Sequence, residues 1–142
     1  MKIVYVTDAF AVFGGIERVL SDKMNYLADN YDYVVHLLTI NQGEHDVPFM
    51  LHSGVVHSDL GIRTHQQYGY HGIRRIFVRW NLKRLLSQRM KNALSIISPD
   101  LIVCVKLDFV GVLLAVKGTA PLAVECHTLC KSDALEGGGL LR

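Results

Sequence analysis

The first residues of this 142-residue chain whose types and spacing suit chemistry are Gly14 and Gly15, followed by Ile16-Glu17-Arg18-Val19-Leu20. Two glycines let the backbone turn tightly and approach a ligand without a Cβ in the way. The helix expected to start there offers free amides and a positive dipole end, which favour phosphate or carboxylate. Asp8, Asn41, Lys106, Asp108 and His127 each follow an apolar run, where a strand end places a polar group. His127 suits a role in a cleft, since a neutral imidazole both donates and accepts hydrogen bonds. With seven histidines in the chain, a structural role is its alternative. Glu125 is expected on the opposite side of that strand, in a partly buried ion pair rather than in catalysis.

A further constellation is basic. Arg63 to Lys91 holds eight of the fifteen Lys and Arg and no acidic residue, so the remainder has seven basic against thirteen acidic residues. Within it, Arg74, Arg75, Arg79, Lys83 and Arg84 interleave with Phe77 and Trp80. Such a face fits an anionic membrane or a pyrophosphate-linked acceptor, or it is a solvated helix with Phe77 and Trp80 in the core. Nucleic acid is not expected as a partner, because no recognisable binding module accompanies the charge.

Several classes drop out on spacing. A dinucleotide fold needs G-x-G-x-x-G after the first strand and an acidic residue closing the second. The turn instead reads Phe13-Gly14-Gly15-Ile16-Glu17-Arg18, and the second strand ends in Thr39-Ile40-Asn41-Gln42. The Gly-Lys-Ser/Thr ending of a nucleotide-triphosphate loop is also missing. Cys126 and Cys130 flank His127 without a second Cys/His pair, so neither a metal nor a cofactor is expected.

The elements that must position these residues follow from periodicity. Lys2 to Thr7 is a branched, uninterrupted run, as in a strand covered on both faces. A helix from about Gly15 to Asn30 places Ile16, Val19, Leu20, Met24, Leu27 and Ala28 on one face. Strands are expected at Tyr33 to Ile40, Val55 to Asp59, Leu101 to Val105 and Pro121 to Cys126. A basic helix over roughly Ile73 to Ile97 is expected to bend or split near Asn81, because Ile73, Phe77 and Trp80 lie on a different face from Leu82, Leu85, Leu86 and Ala93. Ser98-Pro99-Asp100 ends it. A short helix over Phe109 to Val116 and a tail from Leu129 to Arg142 complete the pattern. Strands alternating with crossover helices imply an α/β, Rossmann-like doubly wound parallel sheet with helices on both faces. Ligands of such sheets bind beyond the carboxyl ends of the strands.

Half the residues are apolar and 20% are charged, enough for the core of one ordinary domain. No leader pattern is read, the longest apolar run, Phe109 to Val116, is too short to span a bilayer, and three cysteines fit reduced thiols. The expected compartment is the cytoplasm, with the basic face peripheral to a membrane.

The order Asp8, then Gly14-Gly15-Ile16-Glu17-Arg18-Val19, resembles the amino-terminal half of GT-B glycosyltransferases, especially the retaining family four, in which a G-G-x-E-R run opens the first helix. Ser98-Pro99-Asp100 before the fourth strand and a histidine after the fifth extend the resemblance along nearly the whole chain. It implies that residues 1–142 are one acceptor-side domain of a hexosyl-type transferase, with the donor-binding domain and its Glu-x7-Glu pair elsewhere. Gly14 and Gly15 would meet the donor phosphate, Asp8, Lys106 and Asp108 the acceptor, and His127 the transferred sugar or the reactants. The partners implied are a nucleotide-sugar donor and a saccharide or lipid-linked acceptor, as in surface polysaccharide or glycan biosynthesis. The absence of an Asp-x-Asp run fits a metal-independent mechanism, and the chain alone is expected to be inactive. A partner subunit of a split glycosyltransferase, or a non-catalytic fragment, is the alternative.

Overall fold

The computed structural model describes residues 1–127; Cys130 and the tail from Leu129 to Arg142 lie outside the described residues. Strands β1 (Lys2–Thr7), β2 (Val34–Thr39), β3 (Val55–Asp59), β4 (Leu101–Cys104) and β5 (Leu122–Val124) form one parallel sheet in the order β3-β2-β1-β4-β5. Helices α1 (Gly15–Tyr31), α2 (Gly72–Ile97) and α3 (Val110–Val116) connect them, with a 3₁₀ turn at Thr64–Gly69. This is the Rossmann-like, doubly wound α/β architecture expected from the sequence, and its strand order is the one that creates a switch point between β1 and β4.

Strand alternation sorts the core into two layers. Ile3, Tyr5, Val35, Leu37 and Val103 pack with Leu20, Met24 and Ala28 of α1. Val4, Val6, Leu38, Ile102 and Cys104 face the other way, against Leu86, Met90 and Leu94 of α2 and Leu113 of α3. Both faces of β1 are therefore buried, which explains its continuous apolar sequence. Among described residues no helix is long and apolar enough to cross a membrane.

Two expectations about helices need correction. On α1 the buried face is Leu20, Ser21, Met24 and Ala28, whereas Ile16 and Val19 are exposed. The first turn lies at the carboxyl edge of the sheet and has no strand to pack on. Helix α2 does not split at Asn81; it runs unbroken from Gly72 to Ile97. Its packed side begins at Leu82, and Phe77 and Trp80 are not core residues. The change of apolar face along α2 reflects two environments on one continuous element. Pro99 stops α2, and Ser98 closes it in the left-handed region with φ 50°. Asp100 then clamps β4 to the start of β1, accepting from Lys2 N at 2.7 Å and donating its own amide to Lys2 O at 2.9 Å.

Two strand histidines are expected to make the fold acid-sensitive. Burial pushes the His57 pKa down, against a smaller opposing effect of Asp59, and burial with nearby Lys2 does the same to His36. A histidine whose folded pKa is lowered contributes stability that is complete above its unfolded pKa of about 6.5 and is lost as pH falls through the folded value. Calorimetric melting temperature is expected to fall between about pH 7 and pH 5, and the slope to flatten in His57→Gln. An unchanged slope in that variant counts against this origin.

Candidate functional site

The switch point is bridged by charge. Asp8 follows β1 and Lys106 follows β4, and their side chains pair at 3.2 Å across 98 residues of sequence. Neighbouring parallel strands set this distance, since β1 and β4 run side by side with Val6 opposite Cys104. Asp8 is further held by Asn41, whose side-chain amide donates to Oδ1 and whose main-chain amide donates to Asp8 O at 2.7 Å. Asn41 Oδ1 accepts from Thr64 N at 3.0 Å, tying the 3₁₀ turn to the same network. Lys106 is 49% and Asp8 34% exposed, so the pair contributes at most about 1 kcal/mol to stability. Its chief consequence is an oriented acid and ammonium at the mouth of the crevice.

The loop from Asp8 to Gly14 is fixed from beneath by Gln42, a buried residue that the sequence reading did not single out. Gln42 Oε1 accepts from Phe10 N at 2.6 Å, while Nε2 donates to Phe10 O at 3.0 Å and to His45 O at 2.8 Å. It behaves like a neighbouring strand for a loop that has none. Asp59, also missed, accepts from Thr39 Oγ1 at 3.0 Å and from the amides of Gln42 and Gly43, both at 3.1 Å. His57 Nε2 lies 3.0 Å from the same Thr39 hydroxyl. Asp59 carried one visible signal, an acidic residue closing a strand as Asp8 does; Gln42 carried none.

At the glycine pair the physical reason for glycine differs from the expected tight turn. Gly14, the N-cap of α1, has φ −101° and ψ 164°, extended backbone open to any residue. Its Cβ position is occupied by the Glu17 carboxylate, which folds back onto the helix start. Beyond its chain neighbours and the helix's own backbone, nothing lies within 4 Å of where a Gly15 Cβ would stand, and Gly15 has no left-handed φ. The fold itself therefore does not demand glycine at position 15. Phe13 beside the pair is 81% exposed and meets Phe49 edge-to-face at 5.5 Å.

His127 lies just past β5, on the α1 side. Glu125 is not on the opposite side from it: positions two apart in extended chain share a side, and Glu125 Oε2 lies 3.2 Å from His127 Nε2. The expected ion pair is present, from Glu125 Oε1 to Lys23 Nζ of α1 at 2.7 Å. Burial, aided by the Glu125 charge, pushes the Tyr5 hydroxyl up to about 12, so it stays protonated beneath this cluster.

Asp108 separates from Asp8 and Lys106. It lines a groove of about 440 Å³ on the other face of the sheet, with Arg79, Trp80 and Lys83 of α2 and Phe109. Arg75 stacks over Tyr68 and Arg84 over Trp80, each at 5.6 Å to the ring centre. Ile73, Ile76, Phe77 and Trp80 stand 60–73% exposed at i, i+3, i+4 and i+7, a contiguous apolar stripe beside Arg74, Arg79 and Lys83. Burial raises the pKa of the Cys104 thiol. Among the described residues no three His, Cys, Asp or Glu side chains converge as a metal-binding group.

Fold and geometry together define a Rossmann-like α/β domain with a charged crevice at its switch point and an apolar-basic helix on one face. No protein-family model matches the chain, and no curated protein matches it.

Proposed function

We propose that the chain is the acceptor-side domain of a glycosyltransferase that moves a sugar from a nucleotide-sugar donor to a saccharide or lipid-linked acceptor. The observation that carries the reading is the open Gly15 position at the start of α1, beside the Asp8–Lys106 pair at the switch point. Glycine without a structural requirement leaves room for a diphosphate to reach the helix amides. Asp8 and Lys106 are hydrogen-bonding groups of the kind that orient sugar hydroxyls, and His127 is the residue proposed to meet the reactants. On this reading the donor nucleotide is held mainly by a second domain. Lipid-linked pyrophosphate suits the α2 groove, where Arg79 and Lys83 flank Trp80, and a cytoplasmic location peripheral to an anionic membrane goes with it.

The test is acceptor-dependent release of nucleoside diphosphate by the product of the natural reading frame containing this domain, across a panel of nucleotide sugars. Transfer by that product, with none by residues 1–142 alone, is the expected result. Turnover by the isolated chain contradicts the half-site reading, and a frame without a second α/β domain favours a partner subunit. A finer check is Gly15→Ala. Open space and helical backbone predict unchanged or slightly raised stability, by up to about 1 kcal/mol. The added methyl faces the donor phosphate, so KM for the nucleotide sugar is expected to rise about tenfold, equivalent to about 1.4 kcal/mol. Unchanged KM places the diphosphate elsewhere.

A further inference from the structure

Past the end of β5 one carboxylate serves two partners. Glu125 Oε1 takes the Lys23 ammonium at 2.7 Å, and Glu125 Oε2 faces His127 Nε2 at 3.2 Å. The Glu125 and His127 side chains are 23% and 21% exposed. An ionised carboxylate offers lone pairs and no proton. The ring nitrogen that faces it must therefore be the one bearing hydrogen, and a neutral ring then carries its lone pair on Nδ1. Lys23 comes from α1 and Glu125 follows the edge strand β5, so the ion pair also fixes where the carboxylate can point.

We infer that Glu125 is a positioning residue that fixes His127 as the Nε2–H tautomer, with Nδ1 as the atom presented to a hydroxyl of the sugar acceptor. The inference deepens the proposed function and rests on its reading of His127 as the residue that meets the reactants. Lys23 occupies the other carboxylate oxygen and keeps Oε2 aimed at the ring. A Nδ1–H tautomer would turn its only acceptor toward the carboxylate, lone pair against lone pair, and lose the contact.

The tautomer can be read directly from imidazole ¹⁵N shifts of the ¹⁵N-labelled chain, at about pH 8.5, above the ordinary imidazole range, with His127→Gln assigning the signals. The expected spectrum has a pyrrole-type Nε2 and a pyridine-type Nδ1. Glu125→Ala is expected to bring the two nitrogens toward a common average, whereas Glu125→Gln, whose amide oxygen still accepts from Nε2–H, retains much of the difference. A wild-type ring that is already averaged, or that carries hydrogen on Nδ1, overturns the inference whether or not the variants fold. No sugar is needed for this readout. A locked tautomer in a protein whose full-length form transfers no sugar sinks the proposed function alone; an averaged ring in an active, His127-dependent enzyme sinks the positioning role alone.

Discussion

Replacing Gln42 by leucine is expected to destabilise the domain by about 2–5 kcal/mol, because each buried group left without a partner costs about 1–3 kcal/mol. Two buried groups lose their partner at once, Phe10 N and Phe10 O, and the part-buried bond to His45 O goes with them. Leucine is close in volume and keeps water out, so no solvent replaces the amide. Gln42→Glu is the sharper variant. One carboxylate oxygen can still accept from Phe10 N, but the other then faces two carbonyl oxygens and has nothing to donate. The folded state is expected to favour the protonated acid and raise its pKa above the unfolded value of about 4.3. Its stability is then greatest below that value and is lost as pH rises through the folded pKa, opposite in sign to the histidine effect of the wild type. Urea denaturation of both variants measures the loss. Faster amide exchange at Phe10, with β1 still protected, would locate it in the loop between Asp8 and Gly14. A loss below about 0.5 kcal/mol in both variants would mean that the loop does not depend on Gln42.

On the proposed transferase reading, His127→Ala in the full-length protein is expected to slow sugar transfer by at least about 10²-fold, the scale of a lost positioning or acid–base contact. The stability cost is expected to be small, about 0.5 kcal/mol or less. His127 lies beyond the last residue of a short edge strand, and its described hydrogen bond is to Glu125, whose other oxygen is held by Lys23. Removing the ring thus leaves no buried charge unpaired. Rate and melting temperature measured on the same preparation separate the two effects. A transfer rate within about threefold of wild type would remove His127 from the reacting centre, and an equal fall in rate and folded fraction would make its role structural.

Much of the scaffold was legible along the chain because it depends on local pattern. Lys2 to Thr7 and Leu101 to Val105 read as buried strands since both faces are covered, and Pro99 marked the end of α2. The expected strand ends gave Asp8, Lys106 and His127 as polar groups at the carboxyl edge, where the structure has them. Gln42 was not legible. A lone glutamine after a strand carries no periodicity, and its value arises from Phe10, 32 positions away. Glu125 was misread through its neighbours, although side-chain alternation places it with His127.

By itself, the amino-acid sequence determined the class of fold, the sites of turns and the identity of polar groups at strand ends, since apolar periodicity and proline or glycine punctuation act over a few residues. Tertiary structure alone decided which of those groups meet. Asp8 meets Lys106 because β4 docks directly against β1, a consequence of covering both sheet faces and not of any local preference. The same holds for α2. Periodicity shows that Ile73, Ile76, Phe77 and Trp80 share a face, but only the placement of the sheet and α3 shows that the packed side begins beyond them, at Leu82. A helical pattern specifies a direction around an axis, and whether anything lies in that direction is a property of the whole chain.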